Sequence, residues 1–287
     1  MRHTMIERAK APDRGELRPM DEHLVSLVNP ASFEADQYRT IRHVLEQSHA
    51  TKKMIAVTSA APGDGKTTTA INLAGVLAQA PDARILIVDL DLRMPAVGDR
   101  LGLTVQSPGL ADLLSDPDLK LDDAVQRLPR FRLAVLPAGR ALAVPYEALK
   151  SPRLGELLQE ASRQYDYVIL DTPPLLAVQD ARLIADWVDG FVMVVAAHRT
   201  ARKLLEDALN LMDPAKLIGL VFNGEDRLRS GYYGDYYGSS KGKRRGWWRT
   251  GNGNGNGHGN GHGNGNGLAH GTSVLDTVLR TVLGRPR

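Results

Sequence analysis

The segment Met54-Ile-Ala-Val-Thr-Ser-Ala-Ala-Pro-Gly-Asp-Gly-Lys-Thr-Thr-Thr69 predicts a strand, a glycine turn and then a helix over 70–80. This order is typical of a phosphate-binding loop, in which glycines let backbone N–H groups approach phosphate oxygens and the helix N-terminus adds its positive dipole. Lys66 is placed to reach the β- and γ-phosphates of a nucleotide, and the Thr67 hydroxyl is placed to ligate Mg²⁺. Ala60 replaces the first glycine of G-x-x-x-x-G-K-[ST], so the sequence predicts a P-loop with a deviant Walker A motif.

Two further apolar strands carry carboxylates at their carboxyl ends. A strand beginning near Arg84 ends in Asp89 and Asp91, and another ends in Asp171. Continuous apolar runs are typical of central strands in a parallel sheet, whose ligands bind beyond the carboxyl ends of the strands. The three acids are therefore expected to converge on the P-loop and, with Thr67, to hold Mg²⁺. One such aspartate alone would be interpreted as a strand-end turn residue.

The rest of the chain alternates between strands and helices. Strands are expected at 131–137, 191–197 and 217–222, and helices at 31–48, 151–164, 179–187 and 200–212. Elements of these lengths in this order predict an α/β fold with a doubly wound, mainly parallel sheet. We expect this domain to occupy residues 31–228, after a mobile polar leader at 1–30.

Composition limits the class of protein. With 43% hydrophobic residues, the 287-residue chain can bury one sizeable core. It has no cysteine, which excludes a disulfide framework and a thiolate metal site. The net charge is only +3 and the basic excess is local, which argues against a nucleic-acid partner. The longest apolar runs are strand-sized and no signal-peptide region is evident, so a cytoplasmic protein is expected.

A tyrosine cluster follows the expected domain. Tyr232, Tyr233, Tyr236 and Tyr237 are four of the eight tyrosines in the chain, and they lie in a Gly- and Ser-rich tail, 229–240. Because such neighbours cannot build a core, the rings are expected to be presented rather than packed. Two interpretations stay open from the residues alone. The hydroxyls are presented for phosphorylation by the P-loop site, or the rings form an aromatic patch for a protein or polysaccharide.

Taken together, these motifs resemble those of the bacterial tyrosine kinases, the autokinases that govern capsule and exopolysaccharide synthesis. Residues 59–67 follow the pattern S-x-x-P-G-x-G-K-[ST], residues 89–93 follow D-x-D-x-R, and residues 171–174 follow D-x-x-P. The tyrosine cluster falls where that family carries its autophosphorylated tail. The resemblance covers residues 30–240, and it implies an ATP-dependent protein-tyrosine autokinase of P-loop NTPase fold with ATP and Mg²⁺ as cofactors.

The resemblance also implies a role for each matching residue. Nucleotide binding would fall to Pro62, Gly63, Asp64, Gly65, Lys66, Thr67 and Thr68, metal binding to Thr67, Asp91 and Asp171, catalysis to Lys66, Asp89, Asp91 and Asp171, and autophosphorylation to Tyr232, Tyr233, Tyr236 and Tyr237. Asp89 is expected to activate the incoming tyrosine, since a phenol with a pKa of about 10 needs a base or a metal field at neutral pH. Asn223, at the end of the last strand, is expected to face the adenine.

A subunit-contact motif of the family, E-x-x-R-x-x-R, is approached by Asp36, Arg39 and Arg42 on the helix expected at 31–48. The aspartate keeps the charge but shortens the reach; without the family, these charges would be interpreted as a solvated helix face. By resemblance, the chain forms a ring-like homo-oligomer in which one subunit phosphorylates the tail of its neighbour. A membrane protein of the chain-length-determinant type would be its activator and would recruit it to the inner face of the cell membrane.

The composition changes twice beyond the tyrosines. Residues 241–267 are expected to be a linker. Its basic part, 241–249, contains two tryptophans and is either a contact for an anionic membrane surface or a solvated segment. A Gly-Asn repeat at 251–267 is typical of a flexible spacer. Residues 268–287 regain apolar periodicity and predict a short helix that docks on a partner.

The second hypothesis is a localisation or partition-type ATPase switch without kinase activity. Those ATPases resemble the chain in fold but carry K-G-G-x-G-K, and Ala61 and Pro62 stand here at the Lys-Gly positions. The missing lysine favours the kinase. A third possibility is a non-catalytic regulatory subunit, which the intact Lys66, Thr67 and three aspartates disfavour.

Overall fold

The computed structural model describes residues 18–48, 54–103, 108–140, 142, 144–178 and 180–224. The strands are β1 (Met54–Ser59), β2 (Ile85–Asp89), β3 (Gln126–Leu128), β4 (Leu133–Leu136), β5 (Tyr167–Asp171), β6 (Gly190–Ala196) and β7 (Leu217–Asn223). The helices are α1 (Val25–Val28), α2 (Phe33–Ser48), α3 (Lys66–Leu77), α4 (Val97–Arg100), α5 (Leu110–Ser115), α6 (Leu121–Ala124), α7 (Pro145–Leu149), α8 (Pro152–Gln164), α9 (Asp180–Leu183) and α10 (Arg202–Leu209).

Within the described residues, the strands form a seven-stranded sheet in the order β3-β4-β2-β5-β1-β6-β7. Every pairing is parallel except that of β3 with β4. The predicted doubly wound, mainly parallel α/β fold is therefore confirmed. Because β1 lies between β5 and β6, the carboxyl ends of these strands surround the loop that follows β1.

The central strands are buried on both faces, as their continuous apolar sequences predict. Side chains alternate between the faces along each strand. Leu86 and Val88 of β2 belong to one hydrophobic cluster, whereas Ile85 and Ile87 belong to the other. Each face therefore needs its own covering of helices, and α3 covers the second of these clusters directly behind the P-loop.

Some element boundaries differ from the sequence prediction. Helix α3 begins at Lys66 rather than at residue 70, because Gly65 passes directly into the helix from a left-handed backbone conformation. Helix α9 has four residues where a helix over 179–187 was expected. The three-residue strand β3 was not expected, because its short, half-polar sequence lies at the sheet edge and shows no run of apolar residues.

Residues 18–29 were expected to belong to the mobile leader, and that expectation is wrong. Leu24 and Leu27 are buried in the same hydrophobic cluster as the side chains of α3. Asn72, in the middle of α3, accepts a hydrogen bond from Ser26 N and donates one to His23 O, both at 2.9 Å. Burial of these two leucines together with backbone hydrogen bonds makes this segment part of the folded domain. Residues 1–17 lie outside the described residues.

Among the described residues, no helix combines the length and the apolar character needed to cross a membrane. The segments at 229–240, 241–267 and 268–287, for which a tyrosine tail, a linker and a short helix were predicted, lie outside the described residues.

Candidate nucleotide-binding site

The P-loop turns between β1 and α3 on two glycines in the left-handed region of backbone space. Gly63 has a φ of 82° and Gly65 a φ of 95°. A Cβ atom on Gly65 would lie 1.9 Å from Asn223 Nδ2, so both sterics and backbone strain exclude a side chain there. The N-terminus of α3 begins immediately after this turn and adds its free amides and positive dipole. This backbone fits an anion cradle.

Lys66 and Asp91 form an ion pair beside the loop. Lys66 Nζ lies 2.9 Å from Asp91 Oδ2, and the two side chains are 13% and 4% exposed. Burial lowers the pKa of Lys66, but the negative charges of Asp171 and Asp91 outweigh it, so the net shift is upward. The lysine is therefore charged, and in this structure its partner is a carboxylate rather than a phosphate.

Asp89 and Asp171 end β2 and β5 and are paired in register across the two strands. Both are buried. Burial raises the pKa of Asp89 to about 7, with a further contribution from the charge of Asp171. Burial also raises the pKa of Asp171 to about 6, although the Lys66 ammonium opposes the shift. The structure thus brings Asp89 and Asp171, like Asp91, next to the P-loop lysine.

Asp89 binds the backbone that follows its own strand. Its Oδ1 accepts from Asp91 N at 3.2 Å, and its Oδ2 accepts from Ala96 N and Val97 N, both at 3.0 Å. These bonds fix the turn that leads to α4. The sequence did not predict this structural role, and the role of Asp89 as the base for a tyrosine stays a prediction.

Asp171 is a buried carboxylate whose oxygens have no hydrogen-bond partner among the described residues. Such a group is costly unless a cation compensates its charge. The buried Thr67 hydroxyl lies near enough to oppose the rise in the pKa of Asp171, and carboxylate and hydroxyl oxygens are ligands that Mg²⁺ prefers. Asp171 and Thr67 therefore fit a magnesium ion. No group of three or more His, Cys, Asp or Glu side chains in the described part of the chain could hold a metal, so nucleotide and water would supply the other ligands.

Residues that follow β6, together with the last residue of β7, contact the P-loop. Arg199 Nη2 donates to Gly63 O at 2.7 Å, and Thr200 Oγ1 donates to Asp64 Oδ1 at 2.8 Å. Asn223 Nδ2 donates to Asp64 O at 3.0 Å, and its predicted contact with adenine stays a prediction. Arg199 and Thr200 were not foreseen, because their contacts join positions 136 residues apart and neither lies in a recognisable motif.

The predicted subunit-contact residues lie on α2, against the carboxyl end of α3. Arg39 is ion-paired with Asp36 and donates to Gln79 Oε1 at 3.0 Å, and Arg42 Nη1 donates to Val76 O at 3.0 Å. Positive charge at this end of α3 is favoured by the helix dipole. All three side chains remain partly exposed, and their contact with another subunit stays a prediction.

The four tyrosines lie outside the described residues. The described part of the chain ends at Gly224, directly after β7. Asn223, the last residue of β7, contacts the P-loop, and the predicted tail follows β7 in the sequence.

Comparison with known proteins shows the family of the chain. A family model described as an AAA domain matches residues 52–213. Tyrosine-protein kinase YwqD of Bacillus subtilis is 37% identical over 222 residues, which are 75% of this chain and 92% of YwqD. The succinoglycan biosynthesis transport protein ExoP of Rhizobium meliloti is 31% identical, over 72% of this chain and 27% of ExoP. The kinase domain of Escherichia coli tyrosine kinase ETK is 27% identical with a TM-score of 0.68, over 75% of this chain and 85% of that domain.

The P-loop and the three aspartates thus lie in a chain that is similar to YwqD over nearly the whole of YwqD. The fold of the described residues is also that of a solved kinase domain. The chain therefore belongs to the bacterial tyrosine-protein kinase family.

Proposed function

We propose that this chain is an ATP-dependent protein-tyrosine kinase that phosphorylates the tyrosine cluster in its own tail. The observation that carries the proposal is the arrangement of Lys66, Thr67 and Asp171 at the P-loop, where the Asp171 carboxylate has no hydrogen-bond partner among the described residues. This arrangement supplies a cation for phosphate oxygens and two oxygen ligands for a metal. The tyrosine cluster begins nine residues after Asn223 in the sequence, and Asn223 contacts the P-loop, so we propose these tyrosines as the acceptors.

The loop amides and Lys66 bind the phosphates of ATP in this proposal. A phosphate oxygen replaces Asp91 as the partner of the Lys66 ammonium, because the lysine already sits at the end of the loop with its charge intact. Thr67 and Asp171 would hold Mg²⁺, and Asp91, whose Oδ2 pairs with Lys66 in the structure, would be a further oxygen ligand. When bound, the metal neutralises negative charge on the phosphates during transfer.

Asp89 takes the proton of the acceptor in this proposal. Its raised pKa, about 7, makes it a better base for a phenol than an ordinary carboxylate would be. Its Oδ1 accepts a single backbone N–H in the structure, which leaves a lone pair. The tyrosine hydroxyl gives its proton to Asp89 and its oxygen bonds to the γ-phosphorus. The bond from that phosphorus to the β–γ bridging oxygen breaks, and ADP leaves.

Transfer between neighbouring subunits is compatible with the length of the tail. From Asn223 to Tyr233, an extended chain spans roughly 30 Å, which is enough to enter an adjacent site. We propose a ring-like homo-oligomer with Asp36, Arg39 and Arg42 at its subunit contacts. Each phosphorylated tyrosine adds about −1.5 to −2 charges, so repulsion between tails would loosen the assembly.

A role in exopolysaccharide or capsule synthesis follows from the family in this proposal. ExoP, a relative named for succinoglycan biosynthesis transport, is covered by this chain over only 27% of its length. We propose that a separate membrane protein, of the chain-length-determinant type, activates this chain and brings it from the cytoplasm to the inner face of the cell membrane. The basic segment 241–249 would add a contact with anionic lipid.

Incubation with labelled ATP tests the kinase proposal. The wild type is expected to label on tyrosine, and Lys66→Met is expected to lose the label because the phosphates lose their cation. Lys203→Met is the matched control, since Lys203 is an exposed lysine on α10 that pairs with Asp207. Replacement of all four tail tyrosines by Phe is expected to remove most of the signal.

The other outcomes separate the alternatives. Label that persists in the four-Phe variant would contradict the tail as the acceptor and leave a kinase. Release of free phosphate without phosphotyrosine would contradict the kinase and favour the partition-type switch.

A further inference from the structure

Asp64 is a buried carboxylate within the phosphate-binding loop, where a negative charge is energetically unfavourable. It lies between the two positive-φ glycines of the P-loop and is 2% exposed. A negative charge beside a site for phosphates repels the ligand, and a buried charge is costly unless it is bonded. Its position therefore calls for a structural reason, and the hydrogen bonds of residue 64 supply one.

Both carboxylate oxygens of Asp64 are hydrogen-bonded, one within the loop and one to the segment that follows β6. Oδ2 accepts from Ala61 N at 3.1 Å, and Oδ1 accepts from Thr200 Oγ1 at 2.8 Å. The Thr200 hydroxyl in turn accepts from Ala196 N at 3.0 Å. Because that oxygen already accepts a backbone N–H, its one proton is directed at Asp64.

The backbone carbonyls of Gly63 and Asp64 also accept hydrogen bonds from side chains outside the loop. Gly63 O accepts from Arg199 Nη2 and Asp64 O accepts from Asn223 Nδ2. A trans peptide is planar, so its C=O and its N–H point to opposite edges. Holding these two carbonyls outward therefore turns the N–H groups of Asp64 and Gly65 inward, as an anion cradle requires.

We propose that Arg199, Thr200 and Asn223 form an outer clamp, which orients the P-loop amides towards the phosphates of the nucleotide without touching them. The clamp residues are positioning residues. Thr200 reduces the free-energy cost of burying the Asp64 carboxylate by donating a hydrogen bond to it. This proposal deepens the proposed function and rests on it for the identity of the ligand. It gives Asn223 a second role beside its predicted contact with the adenine, since only the Nδ2 atom is used on the loop.

The test measures binding of ATP and of a fluorescent ATP analogue to the full chain, with and without Mg²⁺, in Thr200→Val and Thr200→Ser. Valine keeps the shape but loses the donor to a charged group, so the Kd for ATP is expected to rise about ten- to hundredfold. Serine restores the hydroxyl and should bind within about threefold of the wild type. The KM for ATP is expected to follow the Kd, with kcat nearly unchanged. Ser162→Ala, which removes an exposed hydroxyl on α8, should match the wild type.

An unchanged Kd in Thr200→Val overturns the clamp, as does an equal loss of binding in Thr200→Val and Thr200→Ser. If Thr200→Val does not fold, Arg199→Ala decides, since Arg199 is exposed and its loss frees the Gly63 carbonyl. That variant is expected to weaken binding about two- to tenfold, and wild-type affinity would overturn the clamp. If the wild type binds ATP but forms no phosphotyrosine, the proposed function fails while the clamp is still tested by binding.

Discussion

Asp171 shows at the scale of one residue how the site is prepared for a cation. Its carboxylate is fully buried and has no hydrogen-bond partner among the described residues, although the Lys66 ammonium is near enough to lower its pKa. Folding therefore bears a desolvation cost that nothing in the described protein fully compensates. A metal that binds there with ATP would remove this cost, which is one way to make nucleotide binding depend on the metal.

Asp171→Asn is expected to stabilise the free protein and to abolish its stabilisation by ligand. Removing the buried charge should raise the free energy of unfolding at pH 8 by about 1–3 kcal/mol. Adding Mg²⁺ and ATP should raise the Tm of the wild type but not that of the variant, because the metal ligand is gone. Urea denaturation and thermal melts measure the two effects. Asp118→Asn, a change at an exposed loop carboxylate, is the control.

The pH dependence of this difference follows from the raised pKa of Asp171, about 6 against an ordinary value of 3.8. Between these values the folded state binds more protons than the unfolded state, so the destabilisation caused by Asp171 fades as the pH falls. The variant should therefore exceed the wild type in stability at pH 8, by about half as much at pH 5, and by little below about pH 4. A difference that stays constant over this range would contradict burial of the Asp171 carboxylate as its origin.

Among the secondary-structure elements, the P-loop helix α3 is held in place by the N-terminal segment 18–29 and by α2. Asn72 is fully buried and makes three hydrogen bonds, accepting from Ser26 N and donating to His23 O and Thr68 O. It thereby joins the N-terminal segment to the turn of α3 that carries Thr68. At the far end of α3, Arg42 on α2 binds the carbonyl of Val76. The helix behind the phosphates is thus fixed by two elements that the P-loop motif does not include.

Asn72→Ala is expected to release the N-terminal segment from α3. The change leaves the Ser26 N–H without its partner, so we expect a loss of about 2–3 kcal/mol in the free energy of unfolding. Urea denaturation measures the loss. Hydrogen exchange at the Ser26 amide should accelerate more than exchange in β5. Asn210→Ala, at an exposed position after α10, should change neither. Unaltered protection at Ser26 would refute the link.

At the scale of the whole molecule, the proposed cycle of assembly and dispersal depends on charge. Each modified tail gains several negative charges, and their mutual repulsion should dissociate subunits. Sedimentation velocity should therefore show smaller species of the wild type after incubation with ATP and Mg²⁺. Lys66→Met and the four-Phe variant should keep their size, because neither accumulates phosphate on the tail. High salt should weaken the dispersal, since it screens charges beyond about 3 Å at 1 M. Equal dispersal of all three proteins would rule out tail charge as the cause.

Local sequence patterns are enough to predict the α/β class, the P-loop, the family, and the strand-end positions of Asp89, Asp91 and Asp171. These features are local: a strand followed by glycines and a helix, or an apolar run that ends in a carboxylate, can be recognised within ten or so residues. Strand order did not need to be known, because parallel strands bring their carboxyl ends to one edge whatever their order.

The hydrogen-bond partner of each buried polar group depends on long-range packing and is seen only in the three-dimensional structure. Thr200 donates a hydrogen bond to Asp64, and Asn72 accepts one from Ser26 in the segment that was expected to be mobile. Asp171, by contrast, has no hydrogen-bond partner among the described residues. These contacts join positions separated by tens to more than a hundred residues, and no local pattern marks them. Burial sets how much each hydrogen bond contributes to stability, because a polar group removed from water depends on the atoms packed around it.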